Sequence, residues 1–165
     1  MATLHFFAGK AGAGKTTRAR LMGQQAQAVV ICEDEWISRL ADPIVSLDDY
    51  LRAAMRVRSI LTPNVTDVLR LGVSVVFDFG GNTAHDRAWV KSVADAARAG
   101  HVLHYLRTDD STCRIRVHLR NETRPEGVYF GPVSDRQLDE VNAHFVPPGT
   151  DEGLIVVEYD GSADR

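Results

Sequence analysis

The chain has 165 residues, of which 44% are hydrophobic and 25% are charged, and its formal net charge is −3. These values predict one soluble globular domain over 1–165, with no apolar run long enough to cross a bilayer. The slight acidity argues against a surface that coats nucleic acid, because that binding depends on clustered Lys and Arg. Strand-like sequence begins close to Met1, so we expect no signal peptide and a cytoplasmic protein.

The first predicted strand, Leu4–Ala8, runs directly into GKAGAGKT at 9–16, a complete GxxxxGK[ST] phosphate-binding loop. Its glycines permit the positive φ values that aim successive backbone N–H groups at one anion. Lys15 is expected on the β- and γ-phosphates and Thr16 on Mg²⁺, with the dipole of the next helix aimed at the same site. A flexible glycine-rich turn is the alternative, and the flanking strand and helix patterns argue against it. The predicted nucleotide-binding residues are Gly9, Lys10, Ala11, Gly12, Ala13, Gly14, Lys15, Thr16, Thr17 and Arg116.

Short apolar runs alternate with helical patterns along the chain. This alternation predicts a parallel α/β sheet with helices on both faces, because strands covered on both sides lack polar alternation. The five predicted strands are Leu4–Ala8, Ala28–Cys32, Val73–Phe79, Val102–Leu106 and Leu154–Glu158. Cys32 ends one of these runs, where a buried free thiol is expected, and its spacing from Cys113 suggests neither a metal site nor a disulfide.

Two helical regions flank the third strand. The first, Leu47–Leu71, follows Ser46 as a predicted N-cap and is interrupted by 62–64 (Thr-Pro-Asn), so we expect two helices there. The second runs from about Ala84 to Ala99 and is predicted to end at Gly100 in a left-handed cap.

Carboxylates follow the second strand, and ligands of open parallel sheets bind at the carboxyl ends of the strands. Asp34 would lie across the cleft from Thr16, and we assign it as the base that takes a proton from an acceptor hydroxyl. Glu33 or Glu35 is the alternative base, and helix capping by Asp34 is the structural alternative. Trp36 either walls an acceptor pocket or packs in the core.

Asp78 follows the hydrophobic residues of the third strand. This is the arrangement of a Walker B acid that holds Mg²⁺ directly or through water. The alternative is a loop aspartate that bonds the turn at 80–82, which could itself shape part of an acceptor pocket. Arg87, one turn into the next helix, is expected to reach a substrate, pair with an acid or face solvent.

Arg116, Arg120 and Arg124 recur every four residues and share one face if the helix persists. Guanidinium groups bind phosphate oxygens bidentately, so we expect Arg120 or Arg124 over a transferring phosphoryl group. A solvated charged face is the alternative, because Arg114 makes the helix basic on more than one side. The histidines form no ligand-spaced cluster, and we predict no role for them.

A segment rich in helix breakers and aromatic residues follows Arg124. We interpret 121–133 as a short arginine-rich lid that closes on substrate and excludes water, with a plain surface loop as the alternative. Ser134 and Gln137 then form a capping box for a helix that reaches about His144.

The phosphate loop, Asp34, Asp78, the run 116–121 (RVHLRN), and 133–135 (VSD) leading to 145–148 (FVPP) occur in one chain. In this combination the chain resembles the small P-loop kinases of the zeta-toxin-like and chloramphenicol-phosphotransferase-like group, which are AAA-type ATP-binding proteins. The resemblance covers nearly the whole chain. It implies a P-loop NTPase sheet of order 2-3-1-4-5 and transfer of the ATP γ-phosphate to a hydroxyl. The lid and the segment between strands two and three are short compared with toxin members, which favours a compact acceptor.

We therefore expect a Mg²⁺- and ATP-dependent kinase for a small hydroxylated molecule: a metabolite, a nucleoside or an antibiotic. No guanine-reading motif is evident after the fourth strand, which favours ATP over GTP. A kinase for the 5′-hydroxyl of a nucleic acid, and a nucleotide-dependent switch without an acceptor, are the alternatives. A monomer or a small homo-oligomer is expected.

Overall fold

The computed structural model describes residues 1–40, 44 and 46–161. A five-stranded sheet has the order β2-β3-β1-β4-β5, and every neighbouring pair is parallel. The predicted fold class and strand order are therefore confirmed. The strands are β1 (Thr3–Ala8), β2 (Val29–Ile31), β3 (Val75–Gly80), β4 (Gly100–Arg107) and β5 (Val156–Asp160).

Helices cover both faces of this sheet. Alternate residues of β1 point to opposite faces: Phe6 packs in one hydrophobic cluster and Phe7 in another, and both side chains are fully buried. The helices are α1 (Lys15–Ala26), α2 (Glu33–Leu40), α3 (Leu47–Arg70), α4 (Ala84–Ala97), α5 (Asp110–Thr123) and α6 (Asp135–Ala143). Residues of α2, α3 and α4 line the cluster around Phe6, whereas α1 and α5 line the cluster around Phe7.

The predicted break at 62–64 is wrong, because α3 continues through Pro63 as one helix of 24 residues. Proline removes one backbone donor and crowds the preceding turn. Side chains on either side of it make hydrogen bonds one turn back along the helix: Thr62 Oγ1 donates to Arg58 O at 2.8 Å and Asn64 Nδ2 to Ile60 O at 2.7 Å. An apolar stripe that includes Leu61 crosses this point into the core, and its burial outweighs the local cost.

The predicted cap at Gly100 is also wrong. Helix α4 ends at Ala97, and Arg98 adopts the left-handed conformation with φ 54°. Gly100 is instead the first residue of β4, where its N–H donates to Ala2 O at 3.0 Å and it pairs with Thr3. The glycine that we expected to end the helix is therefore part of a strand, because it pairs with β1.

The capping box before α6 is confirmed, with Ser134 and Gln137 making both reciprocal hydrogen bonds. Cys32 and Cys113 are buried free thiols, as expected for Cys32. In the described ranges, no helix combines the length and apolarity that a membrane span needs.

Candidate active site

The phosphate loop joins β1 to α1 through three glycines with positive φ: Gly9 at 149°, Gly12 at 86° and Gly14 at 98°. Gly14 is the N-cap of α1 and has no side chain to cover the first N–H groups of the helix. A Cβ on Gly12 would lie 2.4 Å from the carbonyl oxygen of Cys113 in α5. The loop is thus shaped for a bound anion and braced from behind by α5.

The ammonium group of Lys15 lies inside this loop. Its Nζ donates to Gly9 O at 2.6 Å and to Lys10 O at 2.9 Å. Burial lowers the pKa of Lys15, and the nearby carboxylates of Asp78 and Asp34 oppose that shift. The charges of Lys15, Asp78 and Asp34 therefore act on one another.

Thr16 and Asp78 meet at the carboxyl edge of the sheet, where Thr16 Oγ1 donates to Asp78 Oδ2 at 2.9 Å. Asp78 lies within β3, as it does in the predicted strand Val73–Phe79, and β3 extends to Gly80 and pairs there with β1. Asp78 is buried, and burial raises its pKa against hydrogen bonds from Cys32 and Thr16. The two oxygens form a hard donor pair of the kind that Mg²⁺ selects.

Two asparagines that brace the phosphate loop were not assigned this role from the sequence. Asn82 Oδ1 accepts from Gly9 N–H, and Asn142 Oδ1 accepts from Ala11 N–H, both at 3.0 Å. Asn82 belongs to the turn after β3, whereas Asn142 comes from α6, 131 residues away in sequence from its partner. No local signal could have identified Asn142, because the contact depends on how α6 docks.

Helix α2 begins at Glu33, so Asp34 lies in its first turn. Its carboxylate is exposed and accepts a hydrogen bond at 2.9 Å from the hydroxyl of Tyr50 in α3. Asp34 also acts electrostatically on both Lys15 and Asp78. The three predicted groups therefore share one cleft. Tyr50 was not predicted to take part.

The alternative bases beside Asp34 have partners of their own. Glu33 is only 2% exposed, and its Oε1 lies 2.7 Å from Nε of Arg58. Burial raises the pKa of Glu33, and the Arg58 guanidinium opposes this shift. Glu35 pairs with Arg39 on α2 at 2.7 Å. Trp36 packs against the core, which agrees with the second of its two predicted roles.

The basic residues of α5 separate into two groups. Arg116 Nη1 lies 3.5 Å from Ala13 O, and the charge of Arg120 acts on Lys15, so both approach the phosphate loop. Arg124 is not on the helical face expected for it, because α5 ends at Thr123 and Arg124 is its left-handed cap with φ 46°. Its guanidinium lies 5.9 Å from the ring centre of Tyr129 in the following loop. Arg114, on another side of α5, pairs with α6.

The loop between α5 and α6 is held at its base and near its middle. The amide of Asn121 donates to Val133 O at 2.8 Å and accepts from Val133 N–H at 3.1 Å. Arg20 of α1 donates to the carbonyl of Gly127. The predicted lid at 121–133 therefore begins inside α5, and its irregular part starts after Arg124.

Arg87 is fully buried and pairs with an acid, which was one of its three predicted outcomes. Its Nε and Nη2 each lie 2.6 Å from a carboxylate oxygen of Glu152. The same guanidinium donates to the carbonyls of Gly81 at 2.8 Å and Val146 at 2.7 Å. Arg87 thus fixes the turn that carries Asn82.

A cavity of about 850 Å³ opens beside the phosphate loop at the carboxyl ends of β4 and β5. Its volume is in the range of small-molecule sites. Its walls include Lys10, Thr108, Asp109, Asn142, Phe145 and Tyr159. The wall residue Tyr159 bonds His104 at 2.9 Å, and His104 bonds His5 at 3.0 Å. Burial lowers the pKa of His104 to about 4.

Three solved structures share this fold. A protein from Chloroflexus aurantiacus J-10-fl, described as a candidate kinase, has a TM-score of 0.73 and 16% identity, covering 98% of this chain and 89% of that one. Kti12 from Chaetomium thermophilum, in complex with ADP-AlF3, has a TM-score of 0.67 and 19% identity, covering 95% of this chain and 89% of that one. APS kinase CysC from Mycobacterium tuberculosis, in complex with AMPPNP and APS, has a TM-score of 0.62 and 18% identity, covering 96% of this chain and 89% of that one.

The comparison with curated proteins yields no match. The family model AAA_33, described as an AAA domain, matches residues 4–148, which is most of the chain. The matched region contains the phosphate loop, Asp34, Asp78 and α5, and its fold is that of the kinase structures above. The chain therefore belongs to the AAA_33 family of AAA domains.

Proposed function

We propose that the protein is a single-domain, cytoplasmic kinase that transfers the γ-phosphate of ATP to a hydroxyl of a small molecule. The observation that carries this proposal is the meeting of Lys15, Thr16, Asp78 and Asp34 at one edge of the sheet. A phosphoryl transfer needs cations on the phosphates, oxygen ligands for a metal and a base for the acceptor proton. These four side chains offer all three.

Thr16 and Asp78 would hold the Mg²⁺ ion. Their oxygens are 2.9 Å apart, and Asp78 is a buried carboxylate, so the pair fits a hard cation. When bound, the metal would neutralise charge on the β- and γ-phosphates. The cavity beside Lys10 and Tyr159 lies where a nucleoside attached to those phosphates would extend.

Asp34 is the proposed base. Its carboxylate is exposed to an incoming acceptor, and its charge already acts on Lys15 and Asp78. In the transfer, the acceptor O–H proton moves to Asp34 while the acceptor oxygen bonds the γ-phosphorus. The bond from that phosphorus to the β–γ bridging oxygen breaks, and ADP leaves with the electron pair.

Arg116 and Arg120 are the proposed cationic partners of the phosphates. Arg120 Nε is buried and makes no hydrogen bond within the described part of the protein. A buried donor of this kind calls for a partner, and a phosphate oxygen would supply one. Arg124 instead contacts the lid residue Tyr129, so we assign it to the lid and not to the γ-phosphate.

The cations near Asp34 support a compact acceptor that is not a nucleic acid. Arg58 of α3 contacts both Glu33 and Asp86. Arg39 and Arg52 pair with acids of their own helices. Backbone phosphates of a polymer would need such cations to be available.

Incubation with Mg²⁺ and γ-labelled ATP tests the proposal against a panel of nucleosides, sugars, hydroxylated antibiotics and 5′-hydroxyl oligonucleotides. Label on a small molecule supports it and identifies the acceptor class. Label on the oligonucleotide, with steep salt dependence, would favour the nucleic-acid alternative. Release only as phosphate would favour the nucleotide switch. Asp34→Asn is the matched variant: it should bind ATP as the wild type does and lose transfer.

A further inference from the structure

The proposed base is an exposed carboxylate that a side chain from another helix holds in place. Asp34 lies in the first turn of α2, where a carboxylate can also turn towards the backbone N–H groups of its own helix. Tyr50, in the first turn of α3, donates its hydroxyl to Asp34 Oδ1 at 2.9 Å. This contact joins α2 to α3 at the mouth of the cleft.

Tyr50 is itself fixed from two directions. Its ring packs against the hydrophobic core, and its hydroxyl lies 3.3 Å from Glu33 Oε2. A phenol has one proton to donate, and the shorter distance assigns it mainly to Asp34. Burial raises the pKa of Tyr50, and the charges of Asp34 and Glu33 raise it further, so the hydroxyl stays protonated at neutral pH.

Behind Tyr50 lies an ion pair that immobilises Glu33. Arg58 contacts Glu33 through Nε at 2.7 Å and through Nη2 at 3.3 Å. The same guanidinium bonds Asp86 of α4 and lies 5.1 Å from the ring centre of Trp89. Three helices therefore contribute to the support beneath the Tyr50 hydroxyl.

We infer that Tyr50 is a positioning residue that orients the Asp34 carboxylate for proton transfer. The inference rests on the proposed function, in which Asp34 is the base. The Tyr50 hydroxyl occupies Oδ1, which leaves Oδ2 to accept the proton of the acceptor hydroxyl. Rotation about the Asp34 side chain is then restricted before the acceptor arrives, and such preorganisation contributes directly to the transfer step.

Tyr50→Phe tests this, because it removes only the hydroxyl and keeps the ring in the core. Arg52→Gln is the matched control: Arg52 lies on the same helix, is exposed and pairs only within α3 in the contacts described for it. Transfer to the acceptor found with labelled ATP is measured, or MgATP hydrolysis where no acceptor is labelled. We expect kcat to fall about tenfold or more in Tyr50→Phe with an unchanged KM for MgATP and an unchanged melting temperature.

A double-mutant cycle with Asp34→Asn separates positioning from a general structural role. If Tyr50 acts through Asp34, Tyr50→Phe adds almost nothing to the loss already caused by Asp34→Asn. Crystal structures provide a second measurement. The Asp34 carboxylate should occupy one conformation in the wild type and several in Tyr50→Phe. A single unchanged conformation in Tyr50→Phe would overturn the inference.

The outcomes distinguish this inference from the proposed function. Loss of transfer in Asp34→Asn with wild-type kcat in Tyr50→Phe rejects the positioning role and leaves the base in place. Full transfer in Asp34→Asn rejects the base and with it the proposed mechanism. Equal losses in Tyr50→Phe and Arg52→Gln would mean that α3 is merely disturbed, which also rejects the inference.

Discussion

Thr16 Oγ1 and Asp78 Oδ2 lie 2.9 Å apart, so the first turn of α1 is hydrogen-bonded to the interior of β3. Asp78 is buried there, and burial raises its pKa above the ordinary value of 3.8. A buried carboxylate with a raised pKa is destabilising when it is ionised. The same residue is the proposed metal ligand, so stability and catalysis make opposite demands on it.

Asp78→Asn should therefore abolish transfer and stabilise the metal-free protein. We expect at least about a hundredfold loss of Mg²⁺-dependent activity, as for other groups that stabilise transition-state charge. Because the folded pKa is raised, wild-type stability increases as pH falls through that pKa, and the variant lacks this dependence. Thermal melts without metal should show the variant more stable at pH 7, with the gap narrowing in acid. A variant that is less stable than the wild type at pH 7 would contradict the raised pKa of Asp78.

Glu152 has the opposite pH dependence. Hydrogen bonds from Arg87 lower its pKa below 4.5, so its ionised form stabilises the fold. This contribution is complete above pH 4.5 and is lost as pH falls through the lowered folded pKa. Glu152→Gln should lower the free energy of unfolding by about 1–3 kcal/mol at pH 7. This difference should shrink as pH falls below 4.5 and through the lowered folded pKa. Urea denaturation at pH 7 and in acid measures this difference in unfolding free energy.

The control for Glu152 is Glu158→Gln, because Glu158 makes an exposed ion pair with Arg107 at 3.2 Å. Exposed pairs of this kind contribute about 0–1 kcal/mol. A loss in Glu158→Gln as large as in Glu152→Gln would show that the buried contacts of Arg87 are not the cause.

Gly12 and Gly72 offer a matched test of the phosphate loop. Their φ values are 86° and 85°, so alanine suffers similar backbone strain at each, about 1–3 kcal/mol. Only at Gly12 does the new Cβ meet an obstacle, the carbonyl oxygen of Cys113 at 2.4 Å. Gly12→Ala should lose ATP binding by calorimetry, whereas Gly72→Ala should bind normally at a reduced melting temperature. Equal ATP affinity in both would contradict the close packing of α5 on the loop.

Asn121→Ala should loosen the lid without unfolding the protein. It removes two hydrogen bonds to Val133, and each contributes about 1 kcal/mol. Limited proteolysis within 125–132 should accelerate by about tenfold or more, and more ATP should be hydrolysed per transfer because water enters. Glu122→Ala, at an exposed neighbouring residue, should change neither quantity.

The sheet and the phosphate loop were predictable because their signals are local. Apolar runs, a glycine pattern and the capping box at Ser134 each depend on residues close in sequence. The errors arose where distant packing overrode a local signal. Pro63 stays inside α3 because a buried apolar stripe crosses it, and Gly100 joins β4 because β1 pairs with it.

The residues proposed to bind the phosphates and the metal could be predicted from the sequence, but the residues that hold them in position could not. Lys15, Thr16, Asp34 and Asp78 follow from strand ends and spacing, since the ends of parallel strands meet at one edge. Tyr50 and the supporting residues Asn142, Arg58 and Asn82 act through contacts between elements that are remote in sequence. Only the docking of α3, α6 and the turn after β3 brings them to the site.

The uninterrupted course of α3 determines which side of the cleft is able to move. Its 24 residues span about 36 Å, and one rod carries both Tyr50 at the cleft and buried core residues such as Leu61 and Leu69. The wall that supports Asp34 cannot shift without unpacking the hydrophobic centre of the domain. The segment after Arg124 is held by hydrogen bonds at Val133 and Gly127 and buries little. We therefore expect any closure of the proposed lid over bound reactants to be one-sided, with the lid moving against the wall that α3 forms.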